Sequence, residues 1–67
     1  MAERIVSNVR EARTQKKLTQ AQLAAHTGVT RQTIIAIEKG NYTPSVLLAL
    51  KIAAALEKSV EELFTYE

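Results

Sequence analysis

The chain has no cysteine, one histidine, one proline, two glycines and no long apolar run. Each shortage excludes something. Without Cys there is no disulfide, and His26 alone cannot build a structural zinc site, so neither metal nor cofactor is expected. The lack of Cys agrees with a reducing cytosol. The longest apolar run, Val46 to Leu50, is five residues, against the roughly 20 of a membrane span. Residues 1–17 hold Glu3, Arg4, Arg10, Glu11, Arg13, Lys16 and Lys17, too many charges for a signal peptide's apolar stretch. The expectation is a cytoplasmic protein with no membrane partner. Its 67 residues make one domain, with little room for a small-molecule ligand pocket. A domain of this size buries only about 60% of its unfolded surface. It therefore needs well-matched helix packing, a partner subunit, or both.

The means of catalysis are missing too. There is no Cys nucleophile and no phosphate-cradling G-x-x-x-x-G-K-[ST] loop. His26 has no carboxylate at helical spacing. Glu61 and Glu62 are adjacent, hence about 100° apart on a helix, and suit a helix start better than an acid–base pair. No enzyme is expected.

What is present is a lopsided charge pattern. Residues 1–43 carry seven Lys/Arg against three Glu, for +4, and residues 44–67 carry two against four, for −2. A basic first part with an acidic end suits a molecule that turns one side to a polyanion, although a scattered solvated surface would give the same count.

The β-branched residues do not alternate in period two, and the sparse Gly and Pro punctuate five short helices. The first spans about residues 4–16, with Ile5, Val9 and Ala12 toward the core. Thr19 with Gln22 forms a capping box that opens a second helix over 20–26, with Leu23 and Ala24 inward. Gly28 closes it. Thr30 caps a third helix over 31–38, with Ile34 and Ile37 inward, and Gly40-Asn41 ends it. Pro44 makes Tyr42-Thr43-Pro44 a turn. Ser45 caps a fourth helix over 46–56, carrying Leu47, Leu50, Ile52, Ala53 and Leu56. Ser59 with Glu62 opens a fifth over 60–64. The fold class is all-α: a compact five-helix domain.

Residues 20–38 read as short helix, tight turn containing Gly28, short helix, which is the spacing of a DNA-reading helix-turn-helix. Ala24 and Gly28 are small enough for a steep crossing of the two. The second helix would then enter a major groove about 12 Å wide.

Several linked motifs share this arrangement. They are Leu18-Thr19-Gln20-Ala21-Gln22-Leu23-Ala24, Gly28-Val29-Thr30-Arg31-Gln32-Thr33-Ile34, Ile37-Glu38-Lys39-Gly40, Pro44-Ser45 and Leu48-Ala49-Leu50-Lys51-Ile52-Ala53. Together they resemble the phage repressor and Cro type of helix-turn-helix domain, also called Xre-like, from about Ile5 to Phe64. The resemblance implies a lambda-repressor-like fold and a transcriptional regulator that binds double-stranded operator DNA as a two-fold homodimer. It makes 31–38 the recognition helix. Arg31, Gln32, Thr33, Ile35 and Ala36 are then the base-reading set, with Arg31 matched to guanine O6 and N7 and Gln32 to adenine N6 and N7. Arg31 also opposes the dipole at a helix start, which favours a functional reading over a solvated charge. Ile35 stands where relatives more often carry a small polar residue. A thymine methyl, a wider core and a protein contact all remain open for it.

The resemblance also implies a phosphate contact for Gln20. Thr30, Lys39, Asn41, Tyr42, Thr43, Arg10 and Lys17 complete the phosphate-contacting candidates. Arg13 and Glu38 match positions that form a salt bridge between the first helix and the end of the recognition helix. The dimer surface is expected in the C-terminal part, at Leu56, Val60, Leu63, Phe64 and Tyr66, because that segment has more apolar side chains than a small core takes. The alternating tail Phe64-Thr65-Tyr66-Glu67 reads either as a short strand across the dimer axis or as a frayed end. Two readings compete with a dimeric repressor on a palindromic operator: a protein-interaction module, and a nucleoid-type protein without sequence preference.

Overall fold

The computed structural model describes residues 3–67. Seven elements follow in chain order: β1 (Ile5–Ser7), α1 (Val9–Gln15), α2 (Gln20–Thr27), α3 (Arg31–Glu38), α4 (Val46–Leu56), α5 (Val60–Leu63) and β2 (Phe64–Tyr66). All five helices exist, so the helical reading holds, but the fold is all-α only approximately. The two strands pair antiparallel, Ile5 with Tyr66, Val6 with Thr65 and Ser7 with Phe64.

This ribbon corrects both ends of the sequence reading. The first helix does not start near Arg4. Ile5 and Val6 are β-branched, favour extended backbone, and find ladder partners in the tail. Ile5 is therefore half-buried in a strand, and only Val9 and Ala12 of the expected stripe reach the core. Asn8 makes the change of direction: its backbone N–H donates to the Leu63 carbonyl at 2.7 Å. The fifth helix stops at Leu63, because Phe64 is already extended (φ −133°, ψ 127°). The tail strand pairs within its own chain rather than across an axis.

Helix starts follow their caps. Thr19, Thr30, Ser45 and Ser59 each accept the N–H three residues on, and Thr19 and Ser59 form complete capping boxes with Gln22 and Glu62. The α2 end is set by Gly28 at φ +74°. A Cβ there would meet nothing within 4 Å. Gly28 is thus needed for its left-handed backbone, not as a small residue at the helix crossing. Thr27 extends α2 one residue beyond the expected end, with its buried hydroxyl donating to the Leu23 carbonyl at 2.9 Å. The end of α3 is a Schellman motif: Gly40 N–H donates to Ile37 and Asn41 N–H to Ala36, at 3.1 and 2.9 Å.

The core gathers Val9 and Ala12 from α1, Leu23 and Ala24 from α2, Ile34 and Ile37 from α3, Leu48, Ile52, Ala53 and Leu56 from α4, and Leu63 from α5. The α2 helix packs on both α3 and α4, and α1 on α3. Two of the expected dimer-surface residues are consumed by this core: Leu56 and Leu63 are each 1% exposed. Val60 and Phe64 pack against its edge, and only Tyr66 stands out in solvent. The surplus apolar side chains emerge elsewhere. On α4, Leu48, Ile52 and Leu56 take the inner face, which turns Val46 (78% exposed), Leu47 (64%) and Leu50 (54%) outward.

Candidate nucleic-acid interface

Arg31 and Gln32 open α3 and are exposed. With Ile34 and Ile37 anchored in the core, the 3.6-residue repeat leaves Thr33, Ile35 and Ala36 half-buried beside them. Thr33 is engaged locally. Its backbone N–H donates to Thr30 Oγ1 at 3.3 Å, and the two hydroxyls lie 3.1 Å apart. Thr30 itself is exposed and has its oxygen committed to this cap.

Beside the start of α3 lies an open cleft of about 540 Å³, lined by Arg10, Arg13, Lys17, Gln20, Arg31, Ile35, Glu38 and Lys39 among others. Five of these are cations and one is an acid. Helix α1 contributes Arg10, the α1–α2 turn Lys17, and the end of α3 Lys39, so residues far apart in sequence share one positive face. Asn41, Tyr42 and Thr43 follow on the exposed α3–α4 loop, outside the cleft lining.

At the floor of the cleft Arg13 and Glu38 are paired, with side chains only 14% and 4% exposed. Arg13 Nε donates to Glu38 Oε2 at 2.6 Å and Nη2 to Oε1 at 3.3 Å. Arg13 Nη1 also donates to the Leu18 carbonyl at 2.8 Å, one residue before the α2 cap. One guanidinium thus ties α1, the α2 entry and the end of α3, a use of its fixed fork that Lys would not reproduce. Gln20 Nε2 donates to Glu38 Oε1 at 3.1 Å. Sequence reasoning missed that bond, because nothing local links residues 18 apart.

Two further pairs lie outside the cleft. Lys16 Nζ donates to Glu57, and this hydrogen bond, then the ammonium charge, holds the Glu57 carboxyl below its ordinary value. Arg4 pairs with Glu67 at 3.1 Å. His26 is exposed on α2, near Lys51 of α4 and away from the cationic cleft.

Exposed polar residues at the start of α3, beside a cationic cleft braced by a buried ion pair, are the surface features expected of a DNA-binding helix-turn-helix protein. The comparisons agree. The helix-turn-helix family model matches residues 9–63. An uncharacterized HTH-type transcriptional regulator of Methanothermobacter thermautotrophicus is 54% identical over 57 residues, covering 84% of this chain and 83% of that protein. A Bacillus subtilis protein of the same description is 48% identical over 61 residues, covering 91% and 92%. Among solved structures, the restriction-modification controller protein C.AhdI from Aeromonas hydrophila superposes with a TM-score of 0.77 at 39% identity, over 84% of this chain and 85% of that one. The chain belongs to the helix-turn-helix family of DNA-binding transcriptional regulators, of the phage repressor and Cro (Xre-like) type.

Proposed function

We propose that this regulator reads a specific, palindromic operator as a homodimer and represses by occupying it. The observation that carries the reading is the exposure of Arg31 and Gln32 on α3 beside a cleft of five cations. Arg31 reads guanine and Gln32 adenine in the major groove, with Ile35 and Ala36 covering a thymine methyl and Thr33 at the margin. Gln20, Thr30, Arg10, Lys17, Lys39, Asn41, Tyr42 and Thr43 hold the flanking phosphates. Arg13 and Glu38 aim the recognition helix without touching DNA.

One eight-residue helix reads about half a site. Two copies related by a two-fold axis place their recognition helices in successive grooves, about 34 Å apart. The outward face of α4, with Val46, Leu47 and Leu50, is the pairing surface we assign, joined by Tyr66 from the earlier candidates. The workplace of such a protein is the cytoplasm, where the DNA is. Selection from a random duplex pool at about 0.15 M salt tests the reading. A two-fold motif with half-sites one helical turn apart is the expected result. A pool that stays random would overturn it.

A further inference from the structure

The Glu38 carboxylate receives three donors, two from Arg13 and the third from Gln20. An ionised carboxylate only accepts, so the amide nitrogen of Gln20, not its oxygen, must face it. That fixes the whole planar carboxamide. One Nε2 hydrogen is committed to Glu38, and the direction of the second is set with it. Gln20 is the first residue of α2, is half-buried, and lines the same cleft as Arg10, Lys17, Arg31 and Lys39. Arg13 balances the charge of Glu38, so an anion entering the cleft meets an aimed donor without the repulsion of an unpaired carboxylate behind it.

Resting on the DNA-reading role of this face, we propose that Glu38 is a positioning residue for phosphate binding that acts through Gln20. The buried ion pair does more than join α1 to α3: it presets a neutral donor at the start of α2 before DNA arrives. A donor already held in place loses less side-chain freedom on binding than one that must be ordered by the ligand. A bare scaffold role for Glu38 would need no bond to Gln20. A bare phosphate role for Gln20 would leave its amide free to turn in the unbound protein.

These alternatives separate in two measurements on the intact chain. In the free protein, NMR relaxation of the Gln20 side-chain amide is expected to give an order parameter near the rigid-backbone level of about 0.85, with the exposed Gln32 amide below about 0.6. Affinity for a random-sequence duplex is then compared between wild type and Gln20→Asn. This variant keeps the carboxamide but withdraws it by one methylene, beyond reach of Glu38. It should lose about tenfold in affinity, the worth of one hydrogen bond to a charged group. Its salt slope should not change, because no cation is removed. Glu38→Gln should loosen the Gln20 amide as well, and if that variant does not fold, Gln20→Asn alone decides. A mobile Gln20 amide in the wild type, or wild-type affinity for Gln20→Asn, overturns the relay while leaving the DNA reading intact. A wild-type chain that binds no duplex at any salt overturns both.

Discussion

At the residue scale, Lys17 is the costly choice. Its φ is +59°, in the left-handed region, and it closes α1 with Leu18 N–H donating to the Arg13 carbonyl at 3.2 Å. A side chain there costs about 1–2 kcal/mol that glycine would avoid, less the extra chain entropy of glycine. Lys17→Gly should therefore stabilise the fold by about 0.5–1 kcal/mol, raising Tm by a few degrees in thermal denaturation. Because Lys17 lines the cationic cleft, the same variant should flatten the slope of log affinity against log salt by about 1. A stable variant with an unchanged slope would remove Lys17 from the interface. Arg31→Ala and Gln32→Ala behave in the opposite way. Both side chains are exposed and hold nothing together, so Tm should not fall. Competition binding should show about 1–3 kcal/mol less discrimination at single base positions. Arg31 and Gln32 were legible in the sequence because helical spacing alone turns them outward once Ile34 and Ile37 turn inward. The Gln20–Glu38 bond was not legible, since it exists only where α2 and α3 meet in space.

At the scale of elements, the capping signals carried the most information. Thr19, Thr30, Ser45 and Ser59 were readable one by one, because each cap is a contact between residues three apart. What failed were the ends, where the competing partner is distant in sequence: residues 5–7 carry a helical stripe, yet bond to residues 64–66. The α5 box makes a pH prediction. Ser59 N–H donates to Glu62 Oε1 at 2.8 Å, and this bond, with that of the Ser59 side chain, holds the Glu62 carboxyl below its ordinary value. A carboxyl with a lowered folded value adds stability above its unfolded pKa of about 4.3 and loses it as pH falls through the folded value. Tm of the wild type should thus drop as pH falls below about 4.3 toward the lowered folded value. Ser59→Ala should cost about 1 kcal/mol at neutral pH and show a shallower acid drop. Parallel curves for the two proteins would show that the box is not the source.

At the scale of the whole molecule, the surplus of apolar side chains in the C-terminal third was visible in the sequence, but its location was not. Leu56 and Leu63 go inside, into the cluster they share with α1, α2 and α3, because α4 packs on α2 and α5 on α4, whereas Leu47 and Leu50 are turned out to solvent. Sedimentation should give a dimer for the wild type and a monomer for Leu47→Glu with Leu50→Glu. An isologous contact doubles each added charge across its axis, while a monomer's exposed surface accepts both without unfolding. A double variant that stays dimeric would move the interface elsewhere.

Arg4 and Glu67 exchange both backbone hydrogen bonds, at 2.9 and 3.0 Å, beside their side-chain pair. That is the geometry of the last rung before a hairpin turn. Between residues 4 and 67 the polypeptide is therefore almost a ring, one Asn-Gly turn short of closure. A ring has no privileged starting point. Joined there and reopened between Tyr42 and Thr43, a circularly permuted chain would place its new ends on the exposed loop beyond α3 while keeping every helix, the ribbon and the Arg13–Glu38 tie in register.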